Sequence, residues 1–216
     1  NNATSTLAKE GNVVTLTLTA SETIGTPTVT FQSGGDAITN NVTYTNTSGN
    51  TWTAAYTTHD SDTDGSVTFS IAFTDSAGNA GVAVTAVTDG SSVTFDDTVP
   101  TLTAVGIASN NSTSTLAAEG DVVTLTLTAS ETIGTPTVTF QSGGSAINDG
   151  TIDYVNTGGN TWTAKYTANS SDTDGSVTFS IAFADTSGNA GVAVTAVTDG
   201  SSVTFDDSVP TLTAVG

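Results

Sequence analysis

The chain has 216 residues, contains no cysteine and carries a formal net charge of −19, since only Lys9 and Lys165 oppose 21 acidic residues. The lack of cysteine excludes disulfide frameworks, zinc–thiolate sites and thiol nucleophiles. The scarcity of basic side chains argues against binding to nucleic acid or to an anionic membrane surface. No apolar run reaches the roughly 18 residues of a membrane-spanning helix, so no membrane insertion is expected.

Apolar residues alternate with Thr along most of the chain. Within residues 13–20, for example, Val14, Leu16 and Leu18 share one face and Thr occupies the other. This period of two is typical of half-buried β-strands, and no segment shows the helical period of about 3.6 residues. Gly, Asn, Asp and Ser between these segments indicate turns.

The sequence repeats itself with an offset of 109 residues at first and 110 after one inserted residue between 148 and 151. Residues 13–35 are identical to 122–144, residues 61–73 to 171–183, and residues 78–97 to 188–207. A repeat of this length is too long for a solenoid unit and matches a whole immunoglobulin-like domain of about 100 residues. The predicted fold class is therefore all-β, with two tandem immunoglobulin-like antiparallel β-sandwiches, and we expect the chain to be a segment of a longer array.

In the second repeat, immunoglobulin order places strand A at 101–108, B at 122–129, C at 135–141, C′/D at 152–156, E at 161–167, F at 176–184, and a broken strand G within 192–205.

The motif Phe-Asp-Asp-Thr-Val-Pro at 95–100 recurs as Phe-Asp-Asp-Ser-Val-Pro at 205–210 and marks the predicted domain boundaries. A sandwich should begin just after the Pro. We predict a first domain over 1–99 that lacks its own strand A, a second domain over 100–209, and an orphan strand A over 210–216 that belongs to a following repeat. Because an unpaired strand can add to the sheet of a neighbouring molecule, head-to-tail self-association is one expectation.

The acidic residues are concentrated in loops that we expect to converge on the joint between the two domains. In this topology the AB and EF loops lie at one pole of a domain and the BC and FG loops at the other. Their oxygen-rich side chains, with only one His and no Cys, favour Ca²⁺ over transition metals, and Mg²⁺ is a poorer match because it retains water ligands. The predicted ligands at the complete joint are Asp96, Asp97, Asp62, Asp64, Glu10, Glu131, Asp185 and Asn189. Half-sites that await neighbouring repeats are predicted at Glu22, Asp75, Asn79, Asp172, Asp174, Asp206 and Asp207.

Each of these features also has a simpler explanation. Asp-x-Asp-Gly and Asp-x-x-Gly-Asn are ordinary turn sequences, and Glu10 can solvate a loop. The one histidine, His59, is replaced by Asn169 in the second repeat, so a catalytic base is not expected and we predict no enzymatic activity. Trp52 and Trp162 alternate with apolar residues, which favours core packing over an exposed sugar-binding surface.

Three motifs together resemble the bacterial Ig-like repeats that extend giant secreted adhesins, including those with RTX C-termini. They are Ala-Ser-Glu-Thr at 129–132, Asp-Thr-Ser-Gly-Asn-Ala-Gly at 185–191 and Asp-Asp-Thr-Val-Pro at 96–100. The resemblance covers both repeats, although Val99 replaces the usual small residue before the Pro and the RTX nonapeptides are absent. It implies an extracellular or cell-surface location, neighbouring Ig-like repeats of the same chain as partners, and Ca²⁺ at the junctions.

The leading interpretation is a structural spacer that holds a distant binding domain away from a cell, with interdomain Ca²⁺ limiting its bending. A second class is a glycan- or protein-binding module, in which near-identical repeats would provide avidity. A third is a self-assembling extracellular filament subunit joined through strand A.

Overall fold

The computed structural model describes residues 1–216, and all of its regular elements are β-strands. The chain forms two compact units. Unit 1 comprises Asn1–Thr98 together with Ser187–Asn189, and unit 2 comprises Val99–Thr186 together with Ala190–Gly216. No element is a helix with the length and apolar character that crossing a membrane would require.

Unit 1 is a sandwich of a five-stranded and a three-stranded sheet. Its strands are β1 (Leu7–Ala8), β2 (Val13–Thr19), β3 (Thr28–Ser33), β4 (Asp36–Ala37), β5 (Thr43–Ser48), β6 (Thr51–Thr57), β7 (Gly65–Ala72) and β8 (Thr94–Phe95). The larger sheet has the order β1-β8-β7-β3-β4 and the smaller one the order β2-β6-β5. Only β1 and β8 pair in parallel. In immunoglobulin terms these are an A′GFCC′ sheet and a BED sheet.

Unit 2 repeats this arrangement with one additional strand. Its strands are β9 (Leu102–Ser109), β10 (Leu116–Ala117), β11 (Val122–Ala129), β12 (Thr137–Ser142), β13 (Ser145–Ala146), β14 (Asp153–Gly158), β15 (Thr161–Thr167), β16 (Gly175–Ala182) and β17 (Thr204–Phe205). One sheet has the order β10-β17-β16-β12-β13 and the other the order β14-β15-β11-β9. The extra strand, β9, pairs antiparallel with β11 and completes an ABED sheet.

The period-two pattern of the sequence places the core between the two sheets of each unit. In unit 2 the alternate residues Val123, Leu125 and Leu127 of β11 are fully buried. Facing them from the other sheet, Phe140 is also buried, and its ring packs on that of Tyr166 with a centroid distance of 4.9 Å. The Thr residues between these positions point to the opposite face, as strand geometry requires.

The fold class predicted from the sequence is confirmed, since each unit is an immunoglobulin-like antiparallel β-sandwich with no helix. The strands β11 and β15 coincide with the predicted strands B and E. Strand G is shorter than predicted, because only β17 and a single bridge from Val194 to Ile181 pair with the neighbouring strand. Between them the chain turns toward the other sheet, where the Thr198 N–H donates to the Val105 carbonyl at 2.8 Å. Residues 210–216 form no strand pairing.

Candidate functional site

In unit 1 the EF-loop residue Asp64 binds the double-Asp segment through both of its carboxylate oxygens. One oxygen accepts a hydrogen bond from the Asp97 N–H at 2.8 Å, and the other accepts one from the Thr98 hydroxyl at 2.7 Å. The Thr98 N–H donates to the Asp96 carboxylate at 3.2 Å. Asp64 therefore acts as a clamp that fixes the direction in which the chain leaves strand β8.

The position of Asp64 depends on the tight turn between β3 and β4. Gly34 has a φ of +58°, and a Cβ at this position would lie 2.5 Å from the Asp64 carbonyl oxygen. Only glycine permits this approach. The Ser33 hydroxyl donates to the Thr63 carbonyl at 2.7 Å, and the Thr63 hydroxyl donates to Asp36 at 2.9 Å. The turn thus holds the EF loop in place from its side.

Unit 2 contains the same clamp. The Asp174 carboxylate accepts hydrogen bonds from the Asp207 N–H at 2.9 Å and from the Ser208 hydroxyl at 2.7 Å, and the Ser208 N–H donates to Asp206 at 3.0 Å. The Asp207 N–H, followed by the Ser208 hydroxyl, lowers the pKa of the Asp174 carboxyl. Asp174, Asp206 and Asp207 were predicted to form a half-site awaiting a neighbour. The hydrogen bonds of the clamp all lie within unit 2, and the half-site stays a prediction.

The buried EF-loop residues Asp62 and Asp172 tie loops together. The Asp62 carboxylate accepts hydrogen bonds from the Thr39 N–H at 2.8 Å and the His59 N–H at 3.0 Å. Asp172 accepts the equivalent bonds from the N–H groups of Asn148 at 2.7 Å and Asn169 at 3.0 Å. Each carboxylate accepts an N–H on both of its oxygens and so joins the EF loop to the segment after strand β4 or β13.

At the predicted half-site of Glu22, Asp75 and Asn79 the structure forms a turn, and the half-site stays a prediction. The Asp75 carboxylate accepts hydrogen bonds from the Ala77 and Asn79 N–H groups and from the Asn79 side-chain amide, at 2.7–2.9 Å. The Asn79 contacts, foremost its side-chain bond, lower the pKa of Asp75. Glu22 and Glu10 are exposed. In this copy the Asp-x-x-Gly-Asn motif closes its own loop.

Asp96 and Asn189 are brought together in unit 1. The Asn189 side-chain amide donates to the Asp96 carbonyl at 2.7 Å, and the Ser187 hydroxyl donates to the Asp96 carboxylate at 3.0 Å. Both Asn189 and Ser187 are buried. Lys9 donates through Nζ to the Gly188 carbonyl at 2.7 Å. The contact between Asp96 and Ser187 was not predicted, because Ser in an Asp-Thr-Ser-Gly-Asn sequence is also a common turn residue.

Glu131 and Asp185 are brought together in unit 2. An oxygen of each carboxylate lies within 4.8 Å of an oxygen of the other. Asp185 is 6% exposed and Glu131 is half-buried. Asp185 also forms a β-bridge to Ile133, which brings the FG loop against the BC loop. Carboxylate oxygens at this separation are donors of the kind that a hard cation can bridge.

The remaining residues singled out in the sequence are the histidine and the two tryptophans. His59 Nδ1 lies 2.8 Å from the Ser61 hydroxyl and 2.6 Å from the Asp60 carboxylate, in an exposed loop. Trp52 is half-buried, and Trp162 packs against the core of unit 2.

No protein-family model matches the chain, and no curated protein matches it either. Solved structures similar to it include tandem domains of titin. The I-band fragment I67–I69 from titin has a TM-score of 0.43 and 11% identity, over 93% of this chain and 62% of that fragment. The titin domains z1z2 in complex with telethonin have a TM-score of 0.28 and 16% identity, over 95% and 92%. The titin tandem A164–A165 has a TM-score of 0.27 and 16% identity, over 94% and 92%. The chain spans less than two thirds of the I67–I69 fragment. The fold of this chain is assigned from the strand order of its two units.

Proposed function

We propose that the chain is an extender segment of a large extracellular adhesin on a bacterial surface. Its tandem immunoglobulin-like units act as a spacer, and Ca²⁺ stiffens the joint between them. The observation that carries this proposal is the repetition of one sandwich unit, each copy ending in the same clamped Asp-Asp segment at Asp64 or Asp174. A spacer requires length and a defined exit direction from each unit, and the clamp provides that direction. This role is not enzymatic.

The calcium part of the proposal is supported by the carboxylate pair of unit 2. Glu131 and Asp185 have carboxylate oxygens within 4.8 Å of each other. Oxygen donors of this kind suit Ca²⁺, which accepts irregular carboxylate geometry at about 2.3–2.6 Å. Extracellular calcium modules commonly bind with dissociation constants of roughly 10⁻⁴–10⁻³ M, and we expect this range here.

The test is calcium binding by the whole chain, measured by calorimetry and by the melting temperature in Ca²⁺ and in EDTA. At a free Ca²⁺ concentration about ten times the dissociation constant, mass action should stabilise the folded state by about 1.4 kcal/mol. Glu131→Gln should weaken binding at least about tenfold, a difference of about 1.4 kcal/mol. The matched control is Glu119→Gln, which removes an exposed carboxylate from another loop and should leave binding unchanged. Equal binding by both variants would rule out this pair as a ligand.

The spacer role has its own measurement. Small-angle scattering of the chain in Ca²⁺ and in EDTA should show a narrower distribution of particle lengths with Ca²⁺. If the length distribution is unchanged while Ca²⁺ binds, the ion does not stiffen the joint.

A binding module is the second candidate. Its signature is recognition of a glycan or protein that is stronger for two units than for one, because linked sites raise the effective concentration. Glycan arrays probed with the whole chain would reveal it.

A further inference from the structure

The segment between strands F and G of unit 2 leaves one side of its backbone unpaired. Residues 190–195, Ala-Gly-Val-Ala-Val-Thr, run alongside β16 through bridges of Ala190 to Ala184 and of Val194 to Ile181. The edge strand β10 pairs only with β17, further along the chain, and strand β9 belongs to the other sheet. Residues 190–195, here named the G edge, therefore have a hydrogen-bonded neighbour on one side only.

Alternate residues of the G edge direct their backbone groups away from the protein. The Val194 N–H donates to the Ile181 carbonyl at 3.1 Å, and the Val194 carbonyl accepts the Ile181 N–H at 2.9 Å. Because pairing alternates along a strand, the backbone groups of Ala193 and Thr195 point to the open side. Neither residue forms a backbone hydrogen bond within the chain, and both are exposed. These groups are available to another strand.

A β-bulge in the G edge displays an apolar side chain. The two bridges enclose three residues on the G edge and two on β16, so the G edge contains one extra residue. The Gly191 N–H donates to the Phe183 carbonyl at 3.0 Å, and a Cβ at Gly191 would lie 2.2 Å from the Phe183 ring. The ring thus packs on the glycine and holds the bulge. The next side chain, Val192, is 82% exposed.

Unit 1 carries the same edge at residues 80–85, which have the identical sequence. Val84 pairs with Ile71 through both backbone groups, at 3.2 and 2.9 Å. A Cβ at Gly81 would again lie 2.2 Å from a phenylalanine ring, that of Phe73, and Val82 is 87% exposed. The open edge and its bulge are therefore features of the repeat itself.

The charge around the G edge favours a cationic occupant. Residues 166–216 contain no Lys, Arg or His. Asp199 follows the edge and is exposed, and hydrogen bonds from Ser201, foremost from its side chain, lower the pKa of the Asp199 carboxyl. Open edges in natural proteins are commonly protected by Lys or Pro, and the G edge has neither. The net charge of −19 opposes the approach of a second copy and attracts a basic partner.

We propose that the G edge binds an extended cationic segment of a partner protein, which adds as a strand beside Ala193 and Thr195. In strand addition the main-chain hydrogen bonds provide affinity and alternate side chains provide specificity. Here Val192 offers an apolar contact, and Asp199 offers a carboxylate to a Lys or Arg of the added strand. The equivalent edge of unit 1 binds the same kind of segment. This inference goes beyond the spacer role and depends neither on it nor on calcium.

The first experiment titrates the whole chain with the peptide Lys-Val-Lys-Val-Lys-Val-Lys and follows the backbone amides by NMR. We expect shifts and slowed hydrogen exchange at Ala193 and Thr195, and at their counterparts Ala83 and Thr85. A peptide in which Gly replaces every Val has the same charge but a low β-propensity, and it should leave these amides unchanged. A peptide of alternating Glu and Val should also leave them unchanged. Equal effects of the Lys-Val and Lys-Gly peptides would overturn the proposal, because they would show binding by charge alone.

The second experiment removes the outward N–H groups with the double variant Thr85→Pro/Thr195→Pro. Proline is tolerated where the N–H of an edge faces solvent, so the fold should persist while binding of the Lys-Val peptide weakens at least about tenfold. The matched control Thr85→Ser/Thr195→Ser keeps both N–H groups and should bind like the unchanged chain.

A further variant, Val82→Ser/Val192→Ser, changes only exposed side chains and tests the apolar contact if the proline variant fails to fold. It should also weaken binding of the Lys-Val peptide. Unchanged binding by this variant and by a folded proline variant would place the contact elsewhere and overturn the proposal. Dimerisation of the chain without peptide, if abolished by the proline substitutions, would overturn it as well, because a second copy would then occupy the edge.

Discussion

Replacing Asp62 with alanine should destabilise unit 1, because this buried side chain bonds backbone N–H groups of two loops. Its carboxylate accepts the N–H groups of Thr39 and His59, and it is only 7% exposed. Removing it leaves two backbone donors without a partner in a region that water reaches poorly. Hydrogen bonds to a charged acceptor contribute about 1.5–3 kcal/mol each, and an orphaned buried donor costs about 1–3 kcal/mol.

We expect Asp62→Ala to lower the free energy of unfolding of unit 1 by about 3 kcal/mol, a large share of the roughly 5–15 kcal/mol of a typical domain. Asp62→Asn keeps one acceptor oxygen and should lose about half as much. Asp60→Ala is the matched control in the same loop. Asp60 pairs with His59 at the surface, where the two side chains are 62% and 44% exposed, and such pairs contribute about 0–1 kcal/mol.

Urea unfolding followed by tryptophan fluorescence provides the assay. In a Trp162→Phe background, Trp52 is the one remaining tryptophan, so the signal reports on unit 1 alone. The destabilisation should be equal in Ca²⁺ and in EDTA, because the partners of Asp62 are N–H groups. Two results would refute this reasoning: a change for Asp62→Ala no larger than that for Asp60→Ala, or a loss that appears only when Ca²⁺ is present.

Two further predictions concern titratable groups. The Tyr56 hydroxyl is buried without a hydrogen-bond partner, so Tyr56→Phe should stabilise unit 1 by about 1 kcal/mol in urea unfolding. The control Tyr44→Phe should instead destabilise unit 1 by about 1 kcal/mol, because the Tyr44 hydroxyl is hydrogen bonded. Burial raises the pKa of Tyr56 to about 12 from the ordinary 10.0, so the stability of unit 1 should be intact below pH 10 and fall as the pH rises from 10 toward 12, less steeply in Tyr56→Phe. In unit 2, Asp174→Ala should abolish the exchange protection of the Asp207 amide, because the Asp174 carboxylate accepts the hydrogen bond of that amide. Because hydrogen bonding lowers the pKa of Asp174 below its ordinary 3.8, the unchanged chain should keep that protection above pH 3.8 and lose it as the pH falls through the depressed value.

The sequence predicted the long strands well because their side-chain alternation is a local signal. Strands β11 and β15 have the predicted bounds. The two-residue strands β10 and β13 were missed, since two residues carry no periodicity. The pairing of β10 with β17 is parallel and depends on residues 88 positions apart in the chain (204 − 116), which no local pattern can reveal.

The acidic residues were harder to interpret, because turns and cation sites use the same side chains. Asp62, Asp64 and Asp75 were all predicted as ligands, and in the structure each accepts hydrogen bonds from N–H or hydroxyl groups of its own unit. A carboxylate can satisfy its charge with N–H donors or with a cation, and the sequence specifies only the carboxylate. The proximity of Glu131 to Asp185 depends on the meeting of two loops. The calcium assignment stays a prediction that the binding measurement tests.

The two copies of strand B show how much of a protein's burial depends on residues outside a segment. The sequence of β2 recurs in β11, yet Leu125 and Leu127 are fully buried and their counterparts Leu16 and Leu18 are not. The difference follows from β9, which covers β11 and has no counterpart beside β2. A pattern of alternating Leu and Thr therefore encodes a face that requires a cover, and it leaves open which segment supplies that cover.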